Sequence, residues 1–178
     1  MEQALIEIFQ FLISNREYNR ELQTSYYKYI ILPQEQIPRK VIALLYHVAN
    51  TQSQPNINKL ASFCQLIEKG SYNLESFEGF MSIIDPNHQY HTNHEGLFRA
   101  MMNQNGWGEK TSALFTKSIY HLHNGNYPTE LQLWNDVPAK IEIDGKLFLP
   151  VDRVIISIFN FNFLSDSNVI LTNHYPYI

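Results

Sequence analysis

Asn105-Gly106-Trp107-Gly108-Glu109-Lys110-Thr111 lies between two apolar runs of helical spacing, and the way these residues turn the chain decides the fold. Two glycines separated by one residue let a backbone turn sharply and leave its N–H groups uncovered. A helix begins at once after them, so its positive dipole end points into the turn. Such a turn is a ready phosphate site, whereas a plain tight connection between two packed helices would need the same glycines.

Outward from the turn, the flanking runs both read as helix. Asn93 to Met102 precedes it, and Glu109 to Leu122 follows it with Ala113, Leu114, Ile119 and Leu122 available to a core, ending at Asn124-Gly125-Asn126. Further back, Glu2 to Ser14 places Leu5, Ile6, Phe9, Leu12 and Ile13 at three- and four-residue intervals. Arg20 to Leu32 holds the ring-rich run Tyr26-Tyr27-Lys28-Tyr29-Ile30-Ile31, which periodicity alone assigns to neither helix nor strand; Pro33 ends it. Pro38 suits a first helical turn, and Val41, Leu44, Leu45 and Val48 carry that helix to about Asn50. A polar loop from Asn50 to Asn56 leads to a helix from Asn58 to Glu68 that stops at Gly70. Ser71 or Asn73 is expected to cap the next, which carries Leu74, Phe77, Phe80, Met81 and Ile84 to the breaker Asp85-Pro86. Downstream, polar and apolar residues alternate from Lys140 to Leu149 around Asp144-Gly145, which predicts a small β-hairpin, and a last apolar helix is expected from Asp152 to about Phe161. The expectation is a single, mostly α domain over residues 1–178.

Composition narrows the function classes. The chain has 178 residues, 44% of them hydrophobic and 13% aromatic, enough for one ring-rich core. Its single cysteine, Cys64, excludes an internal disulfide and a cysteine-ligated iron–sulfur cluster, and reads as a buried, inert thiol. No apolar stretch reaches the length of a membrane span, and the first residues lack the pattern of a secretory leader, so a cytoplasmic location is expected. The net charge of −4 opposes general affinity for nucleic acid, although basic residues outnumber acidic ones from Arg16 to Lys40 and from Arg99 to Lys117.

The string Leu97 to Ala113 resembles the helix-hairpin-helix of base-excision DNA glycosylases of the endonuclease III type, whose hairpin typically reads Leu-Pro-Gly-Val-Gly-x-Lys-Thr-Ala. Leu149-Pro150-Val151-Asp152-Arg153-Val154-Ile155 resembles that family's second signature, Val-Asp-x-His-Val. The hairpin motif then spans 97–122 and the second motif 149–161. The resemblance implies a helix-hairpin-helix glycosylase-like fold that binds DNA and acts as a glycosylase and lyase on abasic sites. It implies that Lys110 is the amine attacking the sugar C1′ and that Asp152 activates it or stabilises charge on the sugar. Gly106, Trp107, Gly108 and Thr111 would lie along the DNA backbone. The main-chain carbonyls of Met102, Gln104 and Trp107 would hold a monovalent cation, with no other cofactor. Asn105, Trp107 and Arg153-Val154 depart from the family pattern, and the stretch from Tyr127 to Phe148 reads as an insertion. A protein that keeps the fold without the chemistry, acting as a DNA-binding or protein-interaction module, is the alternative.

Other candidates have plainer readings. His88, His91 and His94 with Asp85 and Glu95 are metal-type residues, but Asp85-Pro86-Asn87 places most of them in a loop. His121 and His123 fall at a helix end, where a protonated ring is favourable. Asn50, Gln52 and Gln54 occupy the loop where, by the resemblance, a residue fills the gap left by an extruded base; a solvated loop is the simpler account.

Overall fold

The computed structural model describes residues 2–52 and 54–139. Among them it is mostly helical, with seven α-helices and no strand. The expected hairpin at 140–149, the helix from Asp152 and the motif at 149–161 lie outside the described residues. The helices are α1 (Glu2–Ser14), α2 (Arg16–Ile31), α3 (Ile37–Ala49), α4 (Ile57–Lys69), α5 (Phe77–Ile84), α6 (His94–Met102) and α7 (Glu109–Asn124). Single 3₁₀ turns occupy Ser71–Asn73 and Thr129–Leu131.

Two compact units divide the chain within α2, one taking in residues up to Tyr26 and the other beginning at Tyr27. In the first, α1 and the start of α2 expose Phe11, Leu12, Ile13, Tyr18 and Leu22. The rest of α2 settles the run that periodicity left open. Tyr27, Ile30 and Ile31 are buried at helical spacing, while Tyr29 between them is 82% exposed. Three side chains on one stripe reach the core only if the segment is helical.

The second unit is organised around α7. Thr111, Ser112, Ala113, Phe115, Thr116, Ser118, Ile119 and Leu122 are all buried, so this helix is covered on nearly every face, while Glu109 and Lys110 at its start are exposed. It packs against α6 most extensively and also against α3 and the Thr129–Leu131 turn. Phe80 bridges the layers, with ring centroids 5.7 Å from Phe115 and 5.5 Å from Trp134.

Caps explain where the helices begin. Asn56, Ser76 and Asn93 each accept a backbone N–H three residues on, from Lys59, Gly79 and Gly96. The cap of α5 is therefore Ser76, not Ser71 or Asn73, because Ser71–Asn73 forms its own 3₁₀ turn. The Asp136 carboxylate reinforces the same terminus, accepting the N–H groups of Phe77 at 2.8 Å and Glu78 at 3.0 Å. It belongs to a strap after α7 that is fastened at several points. The buried Trp134 Nε1–H donates to the Leu74 carbonyl at 2.8 Å, and the Pro138 carbonyl lies 3.1 Å from His94 Nε2.

The candidate hairpin site

The connection from α6 to α7 is built by Gln104, Gly106 and Trp107, each for a different physical reason. The Gln104 side-chain amide donates to the carbonyls of Ile84 and Ala100, both at 2.8 Å, and so ties the end of α5 to the end of α6. Its own carbonyl accepts the Trp107 N–H at 3.1 Å, closing the turn. Gly106 takes φ +82°, a left-handed conformation that other residues adopt only with strain. A Cβ there would meet Leu60 of α4 at 2.8 Å, so backbone and neighbour both require glycine.

Trp107 turns inward and is only 6% exposed. Its ring meets Phe63 of α4 and Phe115 of α7 edge-on, with centroids 5.3 and 5.9 Å away. The side chain is an anchor for the turn. Thr111 is likewise buried, at 5% exposure. Together with Leu60 and Ile42, the Trp107 ring lines a shallow apolar cleft between α3 and α4 that also takes in Tyr46 and Cys64. Cys64 is half-buried rather than enclosed, because it lies on this cleft. Interaction with its thiol is the main reason the Tyr46 phenol stands above its ordinary pKa.

Gly108 stands in contrast to Gly106. Its backbone is extended, with φ −123° and ψ 179°, and no described residue lies within 4 Å of where a Cβ would be. It is the N-cap of α7 with no side-chain cap, and the first intrahelical bond runs from the Ser112 N–H to its carbonyl at 2.9 Å. The N–H groups of Glu109, Lys110 and Thr111 precede that bond and point along the positive end of the helix dipole. Glu109 and Lys110 are exposed there. Asp152 lies outside the described residues.

The histidines divide by burial. His94 is 3% exposed, and desolvation lowers its pKa even though the Pro138 carbonyl favours the charged ring. His123 is held down to about 4, chiefly by desolvation and then by repulsion from His94, with Asp136 opposing. The expectation of protonated rings at the end of α7 is therefore corrected. His121 is lowered too, by burial and by Lys117, and His123 accepts the Leu133 N–H at Nε2 while stacking on Trp134. Asp85 is buried and accepts the Tyr90 N–H at 2.8 Å. Among the described residues no group of histidine, cysteine, aspartate and glutamate is arranged to hold a metal ion.

Comparison with known protein families, characterised proteins and solved structures finds no match to this chain. The functional reading therefore stands on the hairpin itself. Among the described residues no helix is long and apolar enough to cross a membrane.

Proposed function

We propose that the protein is a helix-hairpin-helix DNA glycosylase with lyase activity that holds a DNA backbone at the turn between α6 and α7. The observation that supports this is the opposite treatment of the two glycines. Gly106 is locked against α4, whereas Gly108 is exposed, with no described residue within 4 Å of where a Cβ would be, at the start of a buried helix whose N-cap carries no side chain. A phosphate can approach such a terminus closely, and the dipole favours its charge.

In this reading Lys110, exposed in the first turn of α7, is the nucleophile. Its unprotonated amine forms a bond to the sugar C1′ as the bond from C1′ to the base breaks, and the base leaves with the electron pair and takes up a proton. Asp152 supplies the carboxylate that offsets positive charge on the sugar as that bond breaks. Opening of the sugar ring then breaks the C1′–O4′ bond, with a proton from the adduct nitrogen passing to O4′, and leaves a Schiff base; loss of a C2′ proton from it expels the 3′ phosphate with the C3′–O electron pair. A monovalent cation, where bound, would lie on the carbonyls of Met102, Gln104 and Trp107. The Gln104 oxygen already accepts one N–H and retains a lone pair, which is compatible with that role.

The test is borohydride trapping on duplexes carrying an abasic site or a panel of damaged bases. A covalent adduct that disappears in Lys110→Ala and in Asp152→Asn is expected; no Lys110-dependent adduct on any substrate removes the lyase reading. A second reading, a binding module without turnover, is favoured by Glu109, whose carboxylate stands at the same helix terminus, and by the net charge of −4. It predicts salt-sensitive DNA binding with no adduct.

A further inference from the structure

A long-range hydrogen bond joins the end of α3 to the hairpin. The Gln52 side-chain amide donates to the Gly106 carbonyl at 3.2 Å, across 54 positions of sequence. Gln52 is half-buried, and its own N–H lies 3.4 Å from the Ala49 carbonyl at the end of α3. The Gly106 peptide is thus held from two sides, by this amide and by Leu60 packed against the position of its missing Cβ. The left-handed φ of Gly106 sets the direction in which Trp107 and Gly108 leave the turn. A donor fixed on the Gly106 carbonyl therefore restrains the peptide that aims the open backbone.

We infer that Gln52 is a positioning residue for the hairpin, fixing the Gly106 peptide so that the loop after α3 and the turn before α7 present one surface to a nucleic-acid strand. The role of that surface rests on the reading proposed above; the tether does not. Shape alone is insufficient for it, since the acceptor is a carbonyl and only a side chain carrying a hydrogen-bond donor can satisfy it. A glutamate of the same length, ionised above its ordinary pKa of about 4.3, would place charge against the carbonyl oxygen and push the turn away. A lysine would restore a donor.

The experiment uses the full chain with Gln52→Ala, Gln52→Glu and Gln52→Lys. Amide hydrogen exchange is followed at Trp107 and Ser112, whose N–H groups bond to the Gln104 and Gly108 carbonyls, and affinity is measured by fluorescence anisotropy for a labelled duplex carrying a tetrahydrofuran abasic-site analogue. Faster exchange confined to those amides is expected in Gln52→Ala and Gln52→Glu, with recovery in Gln52→Lys. Duplex affinity should fall about fivefold in the first two variants, the weight of one net hydrogen bond, and return in the third. Exchange at the hairpin unchanged in Gln52→Ala and Gln52→Glu overturns the tether. Faster exchange with unaltered affinity, in a parent protein that binds the duplex, overturns its role in presenting the surface. A parent protein that does not bind the duplex sinks the DNA reading and that role with it, while the exchange result still judges the tether.

Discussion

The two hairpin glycines should respond in opposite ways to the same added methyl group. In Gly106→Ala the new Cβ would stand 2.8 Å from the Leu60 side chain and 2.9 Å from its backbone nitrogen, so part of the collision is with α4 itself. Holding a residue other than glycine at φ +82° costs about 1–2 kcal/mol, and the overpacking about 1–3 kcal/mol more. A loss of about 3 kcal/mol lowers the melting temperature of a chain this size by about 6–12 °C. Gly108→Ala meets no described residue within 4 Å and adopts an ordinary extended backbone, so the gain of about 0.4–1 kcal/mol from a stiffer unfolded chain is offset by about as much for alanine in place of glycine at an N-cap, and stability should hold. Its effect should appear in binding: the methyl stands before the α7 N–H groups, and losing one charge-assisted contact weakens duplex affinity about tenfold. Thermal unfolding followed by far-ultraviolet circular dichroism, paired with duplex binding by anisotropy, reads both. A Gly106→Ala protein that melts with the parent would show that the turn is not seated on α4. A stable Gly108→Ala protein with parental affinity would remove the bare backbone as a binding surface.

Stability should also fall on mild acidification. His123 has a folded pKa near 4 against about 6.5 unfolded, so the unfolded chain takes up its proton first, and stability is lost as pH drops from about 6.5 toward 4. Solvent reaching part of the ring screens it, which leaves a loss on the order of 2 kcal/mol; His123→Gln should flatten the urea-unfolding profile in that window, and a superimposable profile would refute the assignment. The two tryptophans offer a matched comparison, since both are buried but Trp134 Nε1 has the Leu74 carbonyl as partner whereas Trp107 Nε1 has none among the described residues. Trp134→Phe orphans a carbonyl and should cost about 1–3 kcal/mol more than Trp107→Phe, which removes an unsatisfied donor; equal losses in urea unfolding would contradict that assignment.

Local patterns made much of the fold legible. Apolar spacing located α1, α3, α4, α6 and α7, and Pro38 with Asn93 marked two of the starts. The run through Tyr26 to Ile31 stayed ambiguous because its rings satisfy helix and strand periods alike; only which of them found a core decided it. Gly70 does end α4, but with φ −90°; the space it leaves is filled by Ile83, which a sequence cannot display. The same limit hid the tertiary contacts of the hairpin. The Gly-x-Gly spacing announced a turn, yet nothing local tells Gly106, wedged against Leu60, from Gly108, open to solvent. Gln52 was visible as a polar loop residue and invisible as a partner of Gly106, since a contact spanning the chain leaves no periodicity. The Asp136 cap on α5 is hidden for the same reason.

Charge at the hairpin yields one more consequence, because one residue pulls stability and binding in opposite directions. Glu109 is exposed in the first turn of α7, where its carboxylate interacts favourably with the same dipole end that would receive a phosphate. Removing the charge with Glu109→Gln should cost the fold about 0.5 kcal/mol. It should also free the terminus for an anion and raise duplex affinity about threefold at low salt, the counterpart of that same interaction. Raising ionic strength should shrink the gain, since exposed charges are screened within about 10 Å at 0.1 M salt. A merely structural Glu109 would show the loss of stability with no gain in binding. Parallel melting and anisotropy measurements on the one variant separate the cases: an affinity equal to the parent's at low salt would mean that the anion, if one binds, does not sit at the start of α7.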